Sequence, residues 1–573
     1  MYDEVIRGGQ VIDGTGAPAV QADVAIKDGR IAAVGDIPET GTIETDATGK
    51  LVTPGFVDPH THYDAQLLWD PTASPSSIHG VTTIIGGNCG FTLAPLRPGD
   101  DDYLRKMMAK VEGMPLPALE QGTDWSWETF GDFLDRLEGS ISVNAGFLAG
   151  HCAIRRYVMG GEAVGNAAGP DDLEKIRAEL ATAIEAGALG FSFTNSTSHS
   201  DGEGEAVASR WATPDELMAL AEETGRHEGT TLEGIVPGCL DRFDDDEIEL
   251  LGQMSAAANR PMNWNVLTVD SREPDRVPRQ MEAFDRAQEI GGKVIALTMP
   301  VQVPMNMSLL NFCGLFLIPG WNDILGTDVE ARMERLRDGD TRVRLLELSQ
   351  SPDAGVFRRL ADWGDYVVGD TYSDENEGLS GRRVADIAAE RGTSEFGTFL
   401  DISLADGLQT IWWPTPQDDD DESWRMRAEL WFDGRAMIGG SDAGAHLDRM
   451  CGAPYPTRWI ADCLRGRKLA TVEQAVKMMT ADPAGLFGLK DRGTLTVGAH
   501  ADVVVLDPDA VDAGPAKLVN DLPGDSGRLV ADSNGVERVL CNGVAIVEHG
   551  AATGAVPGTL LRSGRDTETV TAR

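Results

Sequence analysis

The chain has 573 residues, 42% hydrophobic and 25% charged, close to ordinary globular usage, which excludes a disordered or membrane-embedded class. Lys and Arg number 49 against 92 Asp and Glu, a formal net charge of −43, and such a surface repels nucleic-acid phosphates and anionic lipid headgroups. The length exceeds the needs of one small domain and points to a large domain accompanied by a smaller one.

The opening MYDEVIRGGQVIDG has no basic stretch followed by an apolar core, and no run approaches the ~18 apolar residues of a membrane span, so neither a secretory signal nor a membrane anchor is expected. Seven cysteines, at 89, 152, 239, 313, 451, 463 and 541, are odd in number and scattered. They argue against a disulfide framework and for reduced thiols in the cytoplasm.

Residues 1–52 are short β-type runs broken by turn signals: DEVIRGGQVIDG, ADVAIKDGRIAAVGD and TIETDATGKLVTPG, with KDGR reading as a tight hairpin. The same texture returns over 486–573, in RGTLTVGAHADVVVLDP and GVERVLCNGVAIVEHG, with NG at a turn. Neither end has enough strands to bury a face alone, so the two are expected to pair into one small β-sandwich domain.

Over 53–485, strand-like runs (GFVDPHTH, GVTTIIGGN, SVNAGFLAGH, GALGFSFT, TTLEGIV, PMNWNVLTV, KVIALTMPV, GTFLDIS, GRAMIGGSDAG) are separated by helix-like stretches such as DDLEKIRAELATAIEAG and TPDELMALAEETGRHEG. The number of strands suits an α/β class, a TIM-like (β/α)8 barrel with outer helices. A doubly wound open sheet is the competing architecture, weakened because no glycine-rich dinucleotide fingerprint follows the first strand. Residues 303–350 are apolar and aromatic but irregular, and are expected to form an insertion over the barrel mouth. The run DDDDE at 418–422 reads as a solvated loop tip.

In TPGFVDPHTHYD, residues 53–64, two of only nine histidines sit one residue apart. On a strand, residues i and i+2 face the same way, so His60 and His62 are placed to converge on one metal ion.

Together, PGFVDPHTHYD, GVTTIIGGNCG, GHCAIRRYVMG, GALGFSFT and IGGSDAGAHLDRMCGAPYPTRW resemble the amidohydrolase superfamily, in particular its D-aminoacylase (N-acyl-D-amino-acid deacylase) branch, over nearly the whole chain. The resemblance implies a metal at the carboxyl ends of the barrel strands and hydrolysis of an amide bond. By that likeness His60 and His62 are first-strand ligands and Cys89 is a further metal ligand, its competing reading being a small buried residue. Asp442 binds or neighbours the metal and shuttles the proton. Arg449 holds a substrate carboxylate, against the alternative of a surface arginine, His446 steers the leaving group or substrate, and His151 lies near the substrate, its competing reading being a support for neighbouring site residues.

The pattern departs from the superfamily at two strands. No histidine lies between His227 and His446, so Glu233 in TTLEGIV and Asn265 in PMNWNVL occupy the places of the fifth- and sixth-strand histidines. Three accounts stay open: Glu233 replaces a histidine as an oxygen ligand, one ion works alone, or the metal is lost and the protein only binds. The lysine that follows the sixth-strand histidine in D-aminoacylases is also missing from NWNVLT.

The expected activity is a metal-dependent, D-aminoacylase-like deacylation of a small anionic amide. One or two Zn2+ ions, or another divalent metal, would activate water, with Asp442 as proton shuttle. A cyclic-amide hydrolase and a non-catalytic small-molecule-binding relative are the alternatives. No nucleic-acid or membrane partner is expected, and a homo-oligomer is left open.

Overall fold

A computed structural model describes residues 1–573. The expected KDGR hairpin is formed: strands Val20–Lys27 and Arg30–Gly35 pair Lys27 with Arg30, and the two turn residues, Asp28 and Gly29, have φ of 51° and 74°. Positive φ at both central positions matches the right-handed twist of the flanking strands. Asn542 and Gly543 repeat the device, at φ of 48° and 78°, between Cys541 and Val544.

The two chain ends meet where Val503–Leu506 runs antiparallel to Leu51–Pro54. That pairing joins five N-terminal and four C-terminal strands into one nine-stranded sheet, eight on one hydrogen-bonded path and Gly41–Asp46 branching off against Tyr2–Val11, so the two chain ends build one β-domain as expected. The inserted strand is buried on both faces. Val503 and Val505 pack with Ile6, Val24 and Ile26, while Val504 and Leu506 join the large core that contains Phe56 and Ile84, as a period of two requires.

The parallel strands follow one another in chain order. Phe56–Asp58, Val81–Gly86 and Asn144–Phe147 form one sheet; Ala149–Gly150, Gly190–Thr194, Thr231–Ile235, Met262–Trp264, Val294–Thr298 and Ala436–Ile438 form a second. Leu148 alone separates the two sheets on one side. On the other, Thr61 bridges Ala443 in parallel and His62 N–H donates to the Ala443 carbonyl at 2.7 Å. The intervening helices begin with clear signals: Pro214–Gly225 opens on a proline at its first position, with the Thr213 hydroxyl accepting from Glu216 N–H.

By internal contact the chain divides into two compact units, Met1–Val303 with Asp421–Arg573, and Pro304–Asp420. The second unit is longer than the 303–350 insertion the sequence predicts, and it has its own aromatic core, with Trp321 stacked on Trp363 at 5.6 Å and Phe399 against Trp412 at 4.4 Å. Within it GTFLDIS is helix, not strand: Glu395–Ala405 buries Phe396, Phe399, Leu400 and Ile402 and is capped by Ser394. The i, i+3, i+4 apolar spacing and the serine cap together outweigh the β-branched residues.

Candidate metal centre

His60 and His62 lie just beyond the carboxyl end of Phe56–Asp58 rather than within it. Thr61, between them, is fastened outward, its N–H and hydroxyl both bound to the Ile85 carbonyl. The flanking imidazoles therefore turn to the same side, with ring centroids 5.3 Å apart. Asp58 ties the strand end below them, accepting from His60 N–H at 3.4 Å and from the Ser441 hydroxyl at 2.5 Å.

Cys89 follows Val81–Gly86 in the left-handed region, φ 54°, and its Sγ lies 3.4 Å from His60 Nε2. Asp442 follows Ala436–Ile438, also left-handed at φ 53°, with Oδ1 3.2 Å from His60 Nε2 and 3.7 Å from His62 Nε2. The small residues around it are required by close approach. A Cβ on Gly440 would meet Asn265 Oδ1 at 2.3 Å, and one on Gly444 would meet the His62 backbone at 2.5 Å. Asn265 Nδ2 donates to Asp442 Oδ1 at 3.2 Å.

The donor atoms of His60, His62 and Cys89 all lie within 4.8 Å of one another. Two donors about 2 Å from one tetrahedral ion stand about 3.3 Å apart, close to the spacing of His60 Nε2 with Cys89 and Asp442. Buried carboxylates surround these donors, and desolvation pushes Asp58, Asp64, Glu112 and Glu233 up to about 6, 6, 7 and 8. Burial lowers the His62 imidazole, but Glu112 and Asp442 outweigh it and raise it to about 9. Burial alone would raise Asp442; hydrogen bonds from His60 and His62 instead hold it far below the ordinary carboxylate range. His60 Nδ1, His62 Nδ1 and Glu233 Oε1 are buried without a hydrogen-bond partner. Such a concentration of desolvated, incompletely paired acceptors around two imidazoles and a thiol fits a divalent cation.

Glu233 is placed differently from expectation. Its Oε2 accepts from Cys89 N–H at 2.7 Å, and Oε1 approaches His60 on the Nδ1 side, at 3.9 Å, away from the Nε2 edge that faces Cys89 and Asp442. It holds the Cys89 backbone from behind through that one bond. His151 is also elsewhere. Its Nδ1 pairs with the Ser209 hydroxyl and its Nε2 with Glu216, which pairs in turn with buried Arg155, so both ring nitrogens are committed to a packed polar cluster, in line with the supporting role of the two the sequence offers. Arg449 is no free surface group: its side chain is 17% exposed, Nε lies 3.3 Å from Asp448, and its guanidinium covers Gly113. Burial of its own ring, and then the Arg449 charge, push neighbouring His446 down to about 4.

Two residues escape the sequence reading. Glu112 ends helix Asp101–Val111 with Oε2 3.5 Å from His62 Nε2, and His199, beyond Gly190–Thr194, pairs Nδ1 with Thr194 Oγ1 at 2.8 Å and sets its ring edge-on to Phe91. Neither has a local signal, since helix-end glutamates and loop histidines are usually solvent-facing.

Residues 44–547 match the model of the amidohydrolase family. The chain belongs to that family. This amidohydrolase is 27% identical over 568 residues to the D-aminoacylase of Alcaligenes xylosoxydans xylosoxydans, covering 98% of this chain and 97% of that protein. Among solved structures, a D-aminoacylase superposes with a TM-score of 0.64 at 25% identity, over 98% of this chain and all of that one. The N-acyl-D-glutamate deacylase of Bordetella bronchiseptica, solved with zinc and a phosphonate mimic of the tetrahedral intermediate, gives 0.62 at 25% identity with the same coverage.

Proposed function

We propose that this amidohydrolase is a metal-dependent hydrolase of linear amides, with N-acyl-D-amino acids as its substrate class and His60, His62, Cys89 and Asp442 as metal ligands. The reading rests on the convergence of two imidazoles, a thiol and a carboxylate in a chain that aligns over 98% of its length with a D-aminoacylase. The mixed nitrogen, sulfur and oxygen donors suit zinc. A divalent ion bound there supplies a Lewis acid that polarises the scissile carbonyl and lowers the pKa of water toward ~7.

The chain's own groups carry the remaining steps. Asp442, 20% exposed and with Oδ1 turned to both imidazoles, takes the proton of the attacking water and returns it to the departing amine. Asn265 fixes the orientation of its carboxylate. Arg449 binds the substrate carboxylate, with His446 beside it. Glu233 holds the Cys89 backbone in place.

The parallel strands are read as a (β/α)8 barrel spanning 53–485, flanked by a β-domain from 1–52 and 486–573. Support comes from the single-residue break at Leu148, the Thr61–Ala443 bridge and the superposition on D-aminoacylase. Seven cysteines, all free and buried, accord with a reducing cytoplasm.

The decisive test is amine release from a panel of N-acetyl D- and L-amino acids by protein as purified, after chelation and after zinc is restored. Activity on D-substrates that disappears with the chelator and returns with zinc is expected. A protein that takes up zinc yet releases amine from no member of the panel would refute the substrate class.

A further inference from the structure

Glu112 lies far from the strand ends in sequence, at the carboxyl end of helix Asp101–Val111. Its side chain is 4% exposed, and the polar contact of its carboxylate is Oε2 to His62 Nε2 at 3.5 Å. A desolvated carboxylate that accepts no protein hydrogen bond is unfavourable unless a cation neutralises it. The backbone is anchored to suit: the Glu112 carbonyl accepts from His446 N–H, which binds the helix end to the segment that carries Asp442.

The edge of approach distinguishes the two glutamates at this site. Glu233 nears the first histidine pair at Nδ1 of His60, at 3.9 Å, whereas Glu112 nears His62 at Nε2, the nitrogen that also faces Asp442 at 3.7 Å. The 3.5 Å spacing is close to the roughly 3.3 Å between donors sharing one tetrahedral ion. The fifth and sixth strands present Glu233 and Asn265 in place of nitrogen donors, so the strand ends are short of ligands on this side.

We propose that Glu112 is a metal ligand, completing with His62 and Asp442 a divalent-cation subsite that the fifth and sixth strands do not supply. This assignment rests on the metal-dependent reading above and adds a helix-borne donor to it. It identifies the occupant as a borderline divalent cation such as zinc, bound through nitrogen and oxygen.

The test compares full-length wild type, Glu112→Gln and Glu112→His, stripped with chelator and titrated with Zn2+ against a chromophoric competitor, with bound metal counted by elemental analysis. Glu112→Gln is expected to lose one zinc equivalent or to bind about tenfold or more weakly, with an unchanged apo melting temperature. Glu112→His, which restores a donor atom, is expected to retain the ion. A Gln variant with wild-type stoichiometry and affinity overturns the assignment and leaves the hydrolase reading intact. Zinc loss in both variants together with a collapsed apo melting temperature also overturns it, in favour of a structural role. Wild type that binds no zinc overturns both readings.

Discussion

Cys89 donates its backbone N–H to Glu233 Oε2 at 2.7 Å, and that bond holds a left-handed residue whose thiol faces His60. Glu233→Gln keeps an acceptor at this point and is expected to preserve stability. Glu233→Ala strands a buried N–H, which should cost about 1–3 kcal/mol, and loosens Cys89, which should weaken zinc binding about 10–100-fold. Denaturant unfolding and zinc titration read the two effects separately; unchanged zinc affinity in Glu233→Ala would remove Glu233 from the site.

Asp442→Asn preserves the shape and the contact with Asn265 but cannot take a proton. Its kcat is expected to fall by about 10²–10⁴ with native circular dichroism and melting intact. Activity within a factor of a few of wild type would assign the proton transfer to another group.

Arg449→Ala should raise KM for an anionic amide by about 10–100-fold, the value of one charge-assisted hydrogen bond, with a smaller effect on kcat. The same variant should leave an amide without a carboxylate unaffected. An equal loss on that neutral amide would show that Arg449 does not read substrate charge.

Glu216 pairs with both His151 and the buried Arg155, which predicts a stability phenotype. Glu216→Ala leaves the fully buried Arg155 without its carboxylate, a loss expected to cost about 3–5 kcal/mol. KM for substrate should not change in whatever fraction remains folded, as measured by unfolding curves beside kinetics; a KM defect without destabilisation would return His151 to the substrate site.

Acid sensitivity should arise in part far from the metal centre, at His79. Its Nε2 pairs with the Ala531 carbonyl and its Nδ1 with the Thr457 hydroxyl, and burial pushes the ring down to about 4 from 6.5. Between those values the unfolded chain binds a proton that the native state refuses. The stability contributed is complete above pH 6.5 and falls by about 3 kcal/mol as pH drops to 4. His79→Gln should flatten the dependence of melting temperature on pH across that window, and an unchanged slope would exclude His79 as its source.

Local chemistry alone determined a good deal of this protein. Asp-Gly and Asn-Gly place positive φ at both hairpins, Thr213-Pro214 opens a helix, and one residue of spacing puts His60 and His62 on the same side of an extended backbone. Each of these follows from torsional preferences and periodicity within a few residues. Whether a buried polar side chain touches the site depends instead on how elements distant in sequence pack, which periodicity does not encode. Only the tertiary structure therefore decided that Glu233 stands behind Cys89, that His151 turns away to Glu216, that the segment 395–405 is helical within a unit of its own, and that a helix end delivers Glu112 to His62.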